Sequence, residues 1–291
     1  MKRIIVLLFF LISLKAYSAE RNVLAEDFTG TWCPYCPGAQ MGLRNLKNEV
    51  GERVVIIAYH YNGRDPFYIP ETQIRGSYYG VIYIPTVWFD GVLYRTGGSP
   101  NQPIYYGDLF SQRATTESPI IMDLNILSYN QNTGVGQVKV HITNELNTPV
   151  SGYLRCAMVG LDTFYYWQTQ ESLFDVCLGM FPNGASGELV TVMPFDTLSR
   201  IYNFTIPAGW RYRRCSIAAF LQDDNTHEVQ NAKEVLLPIT GIKERLPIKL
   251  AINLSKEKVF NCEGKIVKGK IQKGVYFIKE GENYKKVILI K

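Results

Sequence analysis

The feature that most constrains this chain is a pair of cysteines, Cys33 and Cys36, placed between a predicted strand and a predicted helix. An apolar run at 23–28 precedes the pair, and apolar side chains recur at helical spacing over 37–50. A helix start offers unpaired N–H groups and the positive end of the helix dipole. Both favour thiolate over thiol, and only the thiolate attacks a disulfide. The sequence therefore predicts a reactive C-x-x-C pair.

The spacing also assigns different roles to the two thiols. Cys33 lies nearer the helix start, so we expect it to be the more exposed, attacking thiol. Cys36 lies further in and is the expected resolving thiol. Two other interpretations stay open. The pair could be half of a zinc site, although the chain has only three scattered histidines to complete one, or it could be a permanent disulfide that never turns over.

The segment Trp32-Cys33-Pro34-Tyr35-Cys36, together with Ile84-Pro85-Thr86 some fifty residues later, resembles the active site of the thioredoxin superfamily. Glutaredoxins also carry the Pro-Tyr pair. The resemblance implies that Asp27 is a buried carboxylate that assists proton transfer to the resolving thiol. It also implies a cis peptide bond before Pro85, in a loop that lies against the disulfide.

The same resemblance implies how a substrate would be held. Pro85 and the backbone of Thr86 would bind the substrate chain beside Cys33, together with Ile84 and the Pro34-Tyr35 dipeptide. Trp32 would shield and shape the approach. No metal and no organic cofactor is implied, and the electrons would come from a redox partner protein.

Residues 19–117 show the element order of such a domain: strand, helix, strand, helical insert, hairpin and closing helix. The continuous apolar run 54–59 indicates a strand covered on both faces. Asp90-Gly91 between two apolar triplets predicts a hairpin, and 101–116 is the expected closing helix. The insert near 62–80 carries polar residues that could line a groove beside Cys33 or form a solvated rim, and we favour the rim. These residues are His60 at its start, Asp65, Arg75 and Tyr79.

Residues 118–238 change to strict alternation of apolar and polar side chains, which predicts an antiparallel β-sandwich. The inward sets are Ile120, Met122, Leu124 and Ile126; Val138, Val140 and Ile142; Leu154, Cys156 and Met158; and Cys215, Ile217, Ala219 and Leu221. The acidic segment 222–226 is predicted to be a turn, with a calcium loop as the alternative. Cys156 and Cys215 could pair across the sandwich or remain buried thiols, and the sequence leaves Cys177 and Cys262 unassigned.

Several short motifs together resemble the twenty-eight-kilodalton outer-membrane protein family, which implies an exported, envelope-associated protein with a thioredoxin-like half and a β-rich half. The motifs are residues 26–33, Asp65-Pro66-Phe67, Tyr78-Tyr79-Gly80, Ile84-Pro85-Thr86, Phe220-Leu221-Gln222-Asp223 and His227-Glu228-Val229.

Both ends of the chain resemble export signals. Residues 1–18 read as a signal peptide, with Lys2-Arg3 before an apolar run and a small-x-small cleavage site; a buried helix is the alternative. Residues 239–291 resemble the C-terminal sorting domain of type IX secretion, which implies a small Ig-like module addressed to outer-membrane secretion machinery. The alternative is a β-module that packs on the middle domain.

The sequence thus predicts an α/β thioredoxin-like N-terminal domain, then an all-β sandwich, then a small C-terminal Ig-like β-module. The net charge of +5 includes basic residues of the predicted signal, and the rest of the chain is close to neutral. The charge therefore gives no reason to expect binding to nucleic acid. The predicted function is an exported thiol–disulfide oxidoreductase acting on protein thiols and disulfides in the periplasm, at the outer membrane or at the surface. The alternative is a non-catalytic surface or outer-membrane binding protein. The direction of electron flow is left open.

Overall fold

The computed structural model describes residues 19–238, 259–261, 265–267, 274–280 and 283–289. The chain divides into two compact units, 1–239 and 240–291. The predicted signal peptide at 1–18 and most of the predicted sorting module lie outside the described residues. No helix in the described part is long and apolar enough to cross a membrane.

The first unit begins with the strand and helix expected around the cysteines. Strand β1 spans Val23–Thr29, helix α1 spans Cys36–Val50 and strand β2 spans Val54–His60, which runs parallel to β1. Every residue of β1 and β2 is buried, as their apolar runs predict. Helix α1 ends at Gly51, whose φ of +61° is a backbone conformation that glycine adopts without a steric penalty.

The predicted insert and hairpin follow. Helix α2 spans Pro70–Tyr78, strands β3 and β4 span Thr86–Phe89 and Leu93–Thr96, and helix α3 spans Gly107–Ala114. Asp90 and Gly91 both have positive φ, the conformation that a two-residue hairpin turn requires. Helix α3 is shorter than the predicted 101–116.

The second half is built of strands, as its alternation predicts. They are β5 (Ile120–Tyr129), β6 (Val135–Asn144), β7 (Val150–Trp167), β8 (Gln170–Phe181), β9 (Glu188–Val192), β10 (Thr197–Thr205), β11 (Cys215–Gln222) and β12 (Val229–Leu236). The acidic segment near 222–226 connects β11 to β12 as the predicted turn. In it the Asp224 carboxylate forms an ion pair with Arg155 at 2.8 Å.

One sheet joins the two halves within residues 19–238. Its strand order is β12-β11-β7-β8-β2-β1-β3-β4, and β9 pairs with β7 at one end. The joint between β8 and β2 is a single residue pair, Ala58 with Val176. The boundary predicted at 117/118 therefore falls inside one compact unit, and independent domains at that point stay a prediction.

A second sheet, β10-β6-β5, packs on part of the first and buries a shared apolar core. The alternating residues predicted to point inward all contribute to that core, with Ile126 and Met158 partly buried. Cys156 and Cys215 lie in this core as free thiols, and Cys177 is also free and buried. The Cys156–Cys215 disulfide is therefore not formed, and Cys262 lies outside the described residues.

A buried ion pair lies on the α2 side of the joint. The Arg75 guanidinium donates to both carboxylate oxygens of Glu26, at 2.7 and 2.8 Å, and to the amide oxygen of Gln222 at 3.0 Å. The Tyr79 hydroxyl donates to Glu26 at 2.6 Å. The prediction of a solvated rim is wrong for Arg75 and Tyr79, because both are buried between α2 and the second half.

The described part of the second unit contains an antiparallel sheet with order β13-β14-β15. These strands span Val259–Asn261, Gly274–Glu280 and Asn283–Leu289. The unit is therefore β-structured where it is described.

Candidate functional site

The two cysteines of the motif form a disulfide with a Cα–Cα distance of 5.5 Å. Strand β1 ends at Thr29, and a tight turn follows in which the Cys33 N–H donates to the Gly30 carbonyl at 3.0 Å. Cys36 is the first residue of α1, so the disulfide lies at the positive end of that helix.

Both cysteine residues are buried. Cys33 is 3% exposed and Cys36 is 0% exposed. Their order matches the sequence prediction that Cys33 is the more exposed of the two, although both residues are buried. The cause lies in the second half of the chain, which sequence reasoning did not connect with the motif.

The cover is the hairpin made by the end of β7 and the start of β8, residues 161–174, which we call the capping hairpin. Trp167 and Leu173 from this hairpin form one buried apolar cluster with Cys33, Cys36 and Val176. Phe67 and Ile84 pack against the same cluster. A disulfide covered in this way is shielded from solvent and from large reagents.

Polar contacts hold the tip of the capping hairpin to the first half. The Gln168 amide donates to the Thr31 carbonyl at 3.0 Å, and the Thr169 hydroxyl donates to the Pro100 carbonyl at 2.7 Å. Gln40 of α1 donates to the Ser172 carbonyl at 3.1 Å. These bonds join the capping hairpin to the cysteine turn, to the loop at Pro100 and to α1.

The loop at Ile84-Pro85 lies next to the disulfide. The Ile84–Pro85 peptide bond is cis, as expected from the sequence, and the Ile84 carbonyl oxygen is 3.8 Å from the Cys33 sulfur. A disulfide sulfur has no proton to donate, so this contact becomes a hydrogen bond only when Cys33 is a thiol. Gly98 packs against the Tyr35 carbonyl and Pro85, where a Cβ would clash, and thereby joins the cysteine turn to this loop.

Of the remaining predicted site residues, three are exposed and one is buried. Trp32, Pro34 and Tyr35 are exposed on the cysteine turn, and the Trp32 indole N–H donates to the Tyr61 carbonyl at 3.2 Å. Thr86 instead is buried and pairs with Phe28 and Thr96 inside the sheet. The structure therefore brings Trp32, Pro34 and Tyr35 to the surface of the site and places Thr86 within the sheet.

A buried histidine–aspartate pair, His60 and Asp65, supports the cysteine turn. His60 Nδ1 is 3.2 Å from the Asp65 carboxylate, and both side chains are buried. Asp65 also accepts from the Thr31 N–H at 2.6 Å and from the Thr31 hydroxyl at 3.0 Å. Burial alone would raise the pKa of Asp65, but the bonds from His60 and from backbone N–H groups outweigh it and lower that pKa. The rim interpretation is therefore wrong for this pair too.

Asp27 is buried on the side of the sheet that faces α1. Its neighbours at alternate positions, Val23 and Ala25, pack with Leu43 and Leu46 of α1. Its Oδ1 atom has no hydrogen-bond partner among the described residues. Burial raises the pKa of Asp27 to about 8, with a smaller contribution from the charge of Asp175.

Asp175 is a further buried carboxyl group that the sequence did not reveal. It lies in β8, has a φ of +56°, and is 8% exposed. Burial is the main reason that the pKa of Asp175 is raised to about 7, and the charge of Glu234 adds to the rise. The charges of Lys47 and Arg44 lower this pKa. An aspartate within an apolar strand was the available signal, but the sequence does not show which strand lies beside β2.

Two clefts of about 350 Å³ lie on this part of the molecule, one beside Trp32 and one beside Asp175. One lies between Trp32 and the aromatic residues 165–167 of the capping hairpin, with Asn62 and Arg64 at its edge. The other opens over Asp175 between α1 and the edge of the sheet. Within the described residues, no group of histidine, cysteine, aspartate and glutamate side chains could hold a metal ion.

No protein-family model matches the chain, and no curated protein sequence matches it. Among solved structures it is similar to HBP35 of Porphyromonas gingivalis, with a TM-score of 0.61, 18% identity, and coverage of 94% of this chain and 99% of that chain. A protein from Agrobacterium tumefaciens matches with a TM-score of 0.48 and 17% identity, over 75% of this chain and 95% of that one. The similarity to HBP35 shows that the two proteins share a fold.

Proposed function

We propose that the protein is an exported thiol–disulfide oxidoreductase whose thioredoxin-like part, residues 19–117, carries the Cys33–Cys36 pair. The observation that carries the proposal is the position of the disulfide at the start of α1, with the Ile84 carbonyl 3.8 Å from the Cys33 sulfur. A helix N-terminus lowers the pKa of a nearby thiol.

In the reducing direction, the Cys33 thiolate attacks one sulfur of a substrate disulfide and expels the other substrate sulfur as a thiolate. Cys36, after losing its proton, then attacks Cys33 in the mixed disulfide and releases the second substrate thiol. The substrate gains two electrons, and the protein ends with the Cys33–Cys36 bond. In the oxidising direction the same steps run backwards.

The proposed partners are protein thiols or disulfides and a redox partner protein that restores the starting state. Residues 1–18 support export. The features of 239–291 that resemble a sorting module support delivery to the outer membrane or the cell surface by secretion machinery.

A second candidate is a non-catalytic surface binding protein built on the same scaffold. Burial of both sulfurs beneath the capping hairpin favours it, because a structural disulfide has no need of access. The two candidates differ in one property, namely whether the pair exchanges with other disulfides.

The test is the reduction potential of the Cys33–Cys36 pair, measured by glutathione equilibration and mass spectrometry, combined with trapping by a Cys36→Ser variant. A potential between about −120 and −270 mV, with trapped mixed disulfides, would support exchange and indicate its direction. A value below about −300 mV with nothing trapped would favour the binding protein. A Cys33→Ser variant is the matched control, because it should trap no partner.

A further inference from the structure

The cleft over α1 contains a buried carboxyl group that lacks a partner. Asp175 lines this cleft and is 8% exposed. In the part of the chain that the structure describes, its carboxyl group makes no hydrogen bond and no ion pair. Burying a carboxyl group is costly unless a partner compensates for the lost water. A ligand in the cleft with a hydrogen-bond donor would supply that compensation.

The backbone and the neighbouring strands shape the cleft around this group. The φ of Asp175 is +56°, a conformation that is sparsely populated outside glycine and is frequent at binding sites. The pairing of β7 with β8 on either side of this position places Leu161 opposite Asp175. Leu161 and Leu236 both line the cleft and give it apolar walls. Its volume of about 350 Å³ suits a small molecule.

Four basic side chains also line the cleft, and two of them have no acidic partner. Lys47 and Arg214 form ion pairs, each at 3.0 Å, with acidic side chains of β12 and β7. Among the described residues, Arg44 and Lys233 form no ion pair. The Arg44 guanidinium instead lies 3.8 Å from the centre of the Phe174 ring. Two positive groups are thus available to an anionic group of a ligand.

We infer that this cleft binds an α-amino acid with an apolar side chain, in its zwitterionic form. The ammonium group donates to the Asp175 carboxylate, and the ligand carboxylate accepts from Arg44 and Lys233. The apolar side chain packs against Leu161 and Leu236. The inference goes beyond disulfide exchange and does not depend on it, because the two cysteines take no part in this binding.

Ligands that carry only one of the two charges fit the cleft less well. A simple cation would satisfy Asp175 but would meet four basic side chains, two of them unpaired. A simple anion would satisfy Arg44 and Lys233 but would leave the Asp175 carboxyl group buried without a donor. A zwitterion meets both requirements at once, and the separation of charges in the cleft rejects the other two classes.

The ionisation of Asp175 gives the binding a characteristic pH dependence. The charged groups that face it are Arg44 and Lys47 of α1, Glu234 of β12, Asp162 of β7 and Asp27 of β1. Burial raises the pKa of Asp175 to about 7. An ammonium partner favours the ionised carboxylate, so binding at lower pH must release a proton. The affinity should therefore fall about tenfold from about pH 8 to about pH 6.

The test is isothermal titration calorimetry of the oxidised full chain at about pH 7 with four probes. Leucine carries both charges and an apolar side chain, leucinamide lacks the carboxylate, N-acetyl-leucine lacks the ammonium group, and glycine lacks the side chain. We expect leucine to bind at least about tenfold more tightly than each of the other three, because each of them loses one charged hydrogen bond or the apolar contact.

Two variants assign the contacts. Asp175→Asn and Arg44→Gln should each weaken leucine binding by about tenfold to a hundredfold, and Asp175→Asn should also remove the pH dependence. Asparagine tolerates a positive φ, so Asp175→Asn is expected to fold, which circular dichroism checks. The matched control is Glu52→Gln, which removes an exposed carboxylate from the same cleft and should bind leucine as wild type does.

Several outcomes would overturn the inference. Absence of leucine binding at millimolar concentration would remove the site. Leucinamide binding as tightly as leucine would make it a cation site, and N-acetyl-leucine doing so would make it an anion site. Unchanged leucine affinity in both Asp175→Asn and Arg44→Gln would place the amino acid elsewhere. The reduction potential of the disulfide is a separate measurement, so each proposal can fail while the other stands.

Discussion

Trp167, from the second half of the chain, packs in one buried cluster with Cys33, from the first. The indole N–H of Trp167 donates to the Ser172 carbonyl across the capping hairpin at 3.0 Å. This contact fixes the ring over the disulfide. Access to the sulfurs is therefore controlled by a segment more than one hundred residues away in the sequence.

The first prediction concerns that cover. Trp167→Ala should speed reduction of the Cys33–Cys36 disulfide by a small dithiol by about tenfold, which corresponds to about 1.4 kcal/mol less cost of opening. The reason is that the largest ring over the sulfurs is removed while the hydrogen bonds of Gln168 and Thr169 remain. The rate is followed by alkylation of the freed thiols and mass spectrometry.

Phe164→Ala is the control for this variant, because Phe164 lies on the same hairpin but is 65% exposed and outside the cluster. It should leave the rate unchanged. Equal rates for Trp167→Ala and wild type would show that the hairpin does not limit access.

The second prediction uses the raised pKa of Asp27. A folded-state pKa of about 8, against 3.8 for the free group, means that the folded state holds its proton more tightly. This contribution to stability is fully present below about pH 4 and is lost as the pH rises through about 8. Wild type should therefore lose up to about 5 kcal/mol relative to Asp27→Asn over that range.

The measurement is urea unfolding of the oxidised proteins at a series of pH values. The readout is the change with pH of the stability difference between the two proteins, so the constant cost of burying an amide cancels. Parallel curves for wild type and Asp27→Asn would contradict the assigned pKa.

The third prediction concerns the buried ion pair between Arg75 and Glu26. Arg75→Ala should lower the free energy of unfolding by about 3–5 kcal/mol, because it leaves the buried Glu26 carboxylate without its partner. Combining it with Glu26→Gln should recover part of the loss, since the unpaired charge is then removed. Urea unfolding at neutral pH measures both variants.

The control is Arg95→Ala, which breaks the exposed pair with Asp108. Exposed pairs contribute about 0–1 kcal/mol, so this variant should unfold close to wild type. A loss for Arg75→Ala no larger than that for Arg95→Ala would mean that Glu26 is not held as a charged group.

Local features of this fold were predictable because local chemistry determines them. The apolar runs fix β1 and β2, and Asp90-Gly91 fixes the hairpin turn through its positive φ values. Period-two alternation identified the core of the second half, since each strand buries one face. The cis bond before Pro85 followed from the resemblance rather than from the pattern of the residues.

The parts that sequence reasoning missed depend on contacts between distant segments. Nothing local in residues 161–174 indicates that they cover Cys33. Likewise, no local pattern indicates that Ala58 of β2 pairs with Val176 of β8 and so joins the two halves in one sheet. A partial signal existed in Glu26, a charged residue within a fully buried strand, which requires a buried partner such as Arg75.

The fourth prediction concerns how a protein substrate is recognised. Ile82 and Tyr83 lead into the Ile84-Pro85 loop and are 82% and 72% exposed. Exposed apolar side chains beside a reactive group are suited to contacts with a substrate chain. In a Cys36→Ser background, Tyr83→Ala should reduce trapping of protein partners several-fold, while reaction of Cys33 with a small disulfide stays unchanged.

The comparison variant is Tyr212→Ala, since Tyr212 is similarly exposed but bonds to Asn132 in the second half. It should trap partners as the parent Cys36→Ser protein does. Equal trapping by all three proteins would place substrate recognition elsewhere, for example in the cleft beside Trp32. A parallel loss with the small disulfide would mean that Tyr83 affects the reactivity of Cys33 rather than the binding of a protein chain.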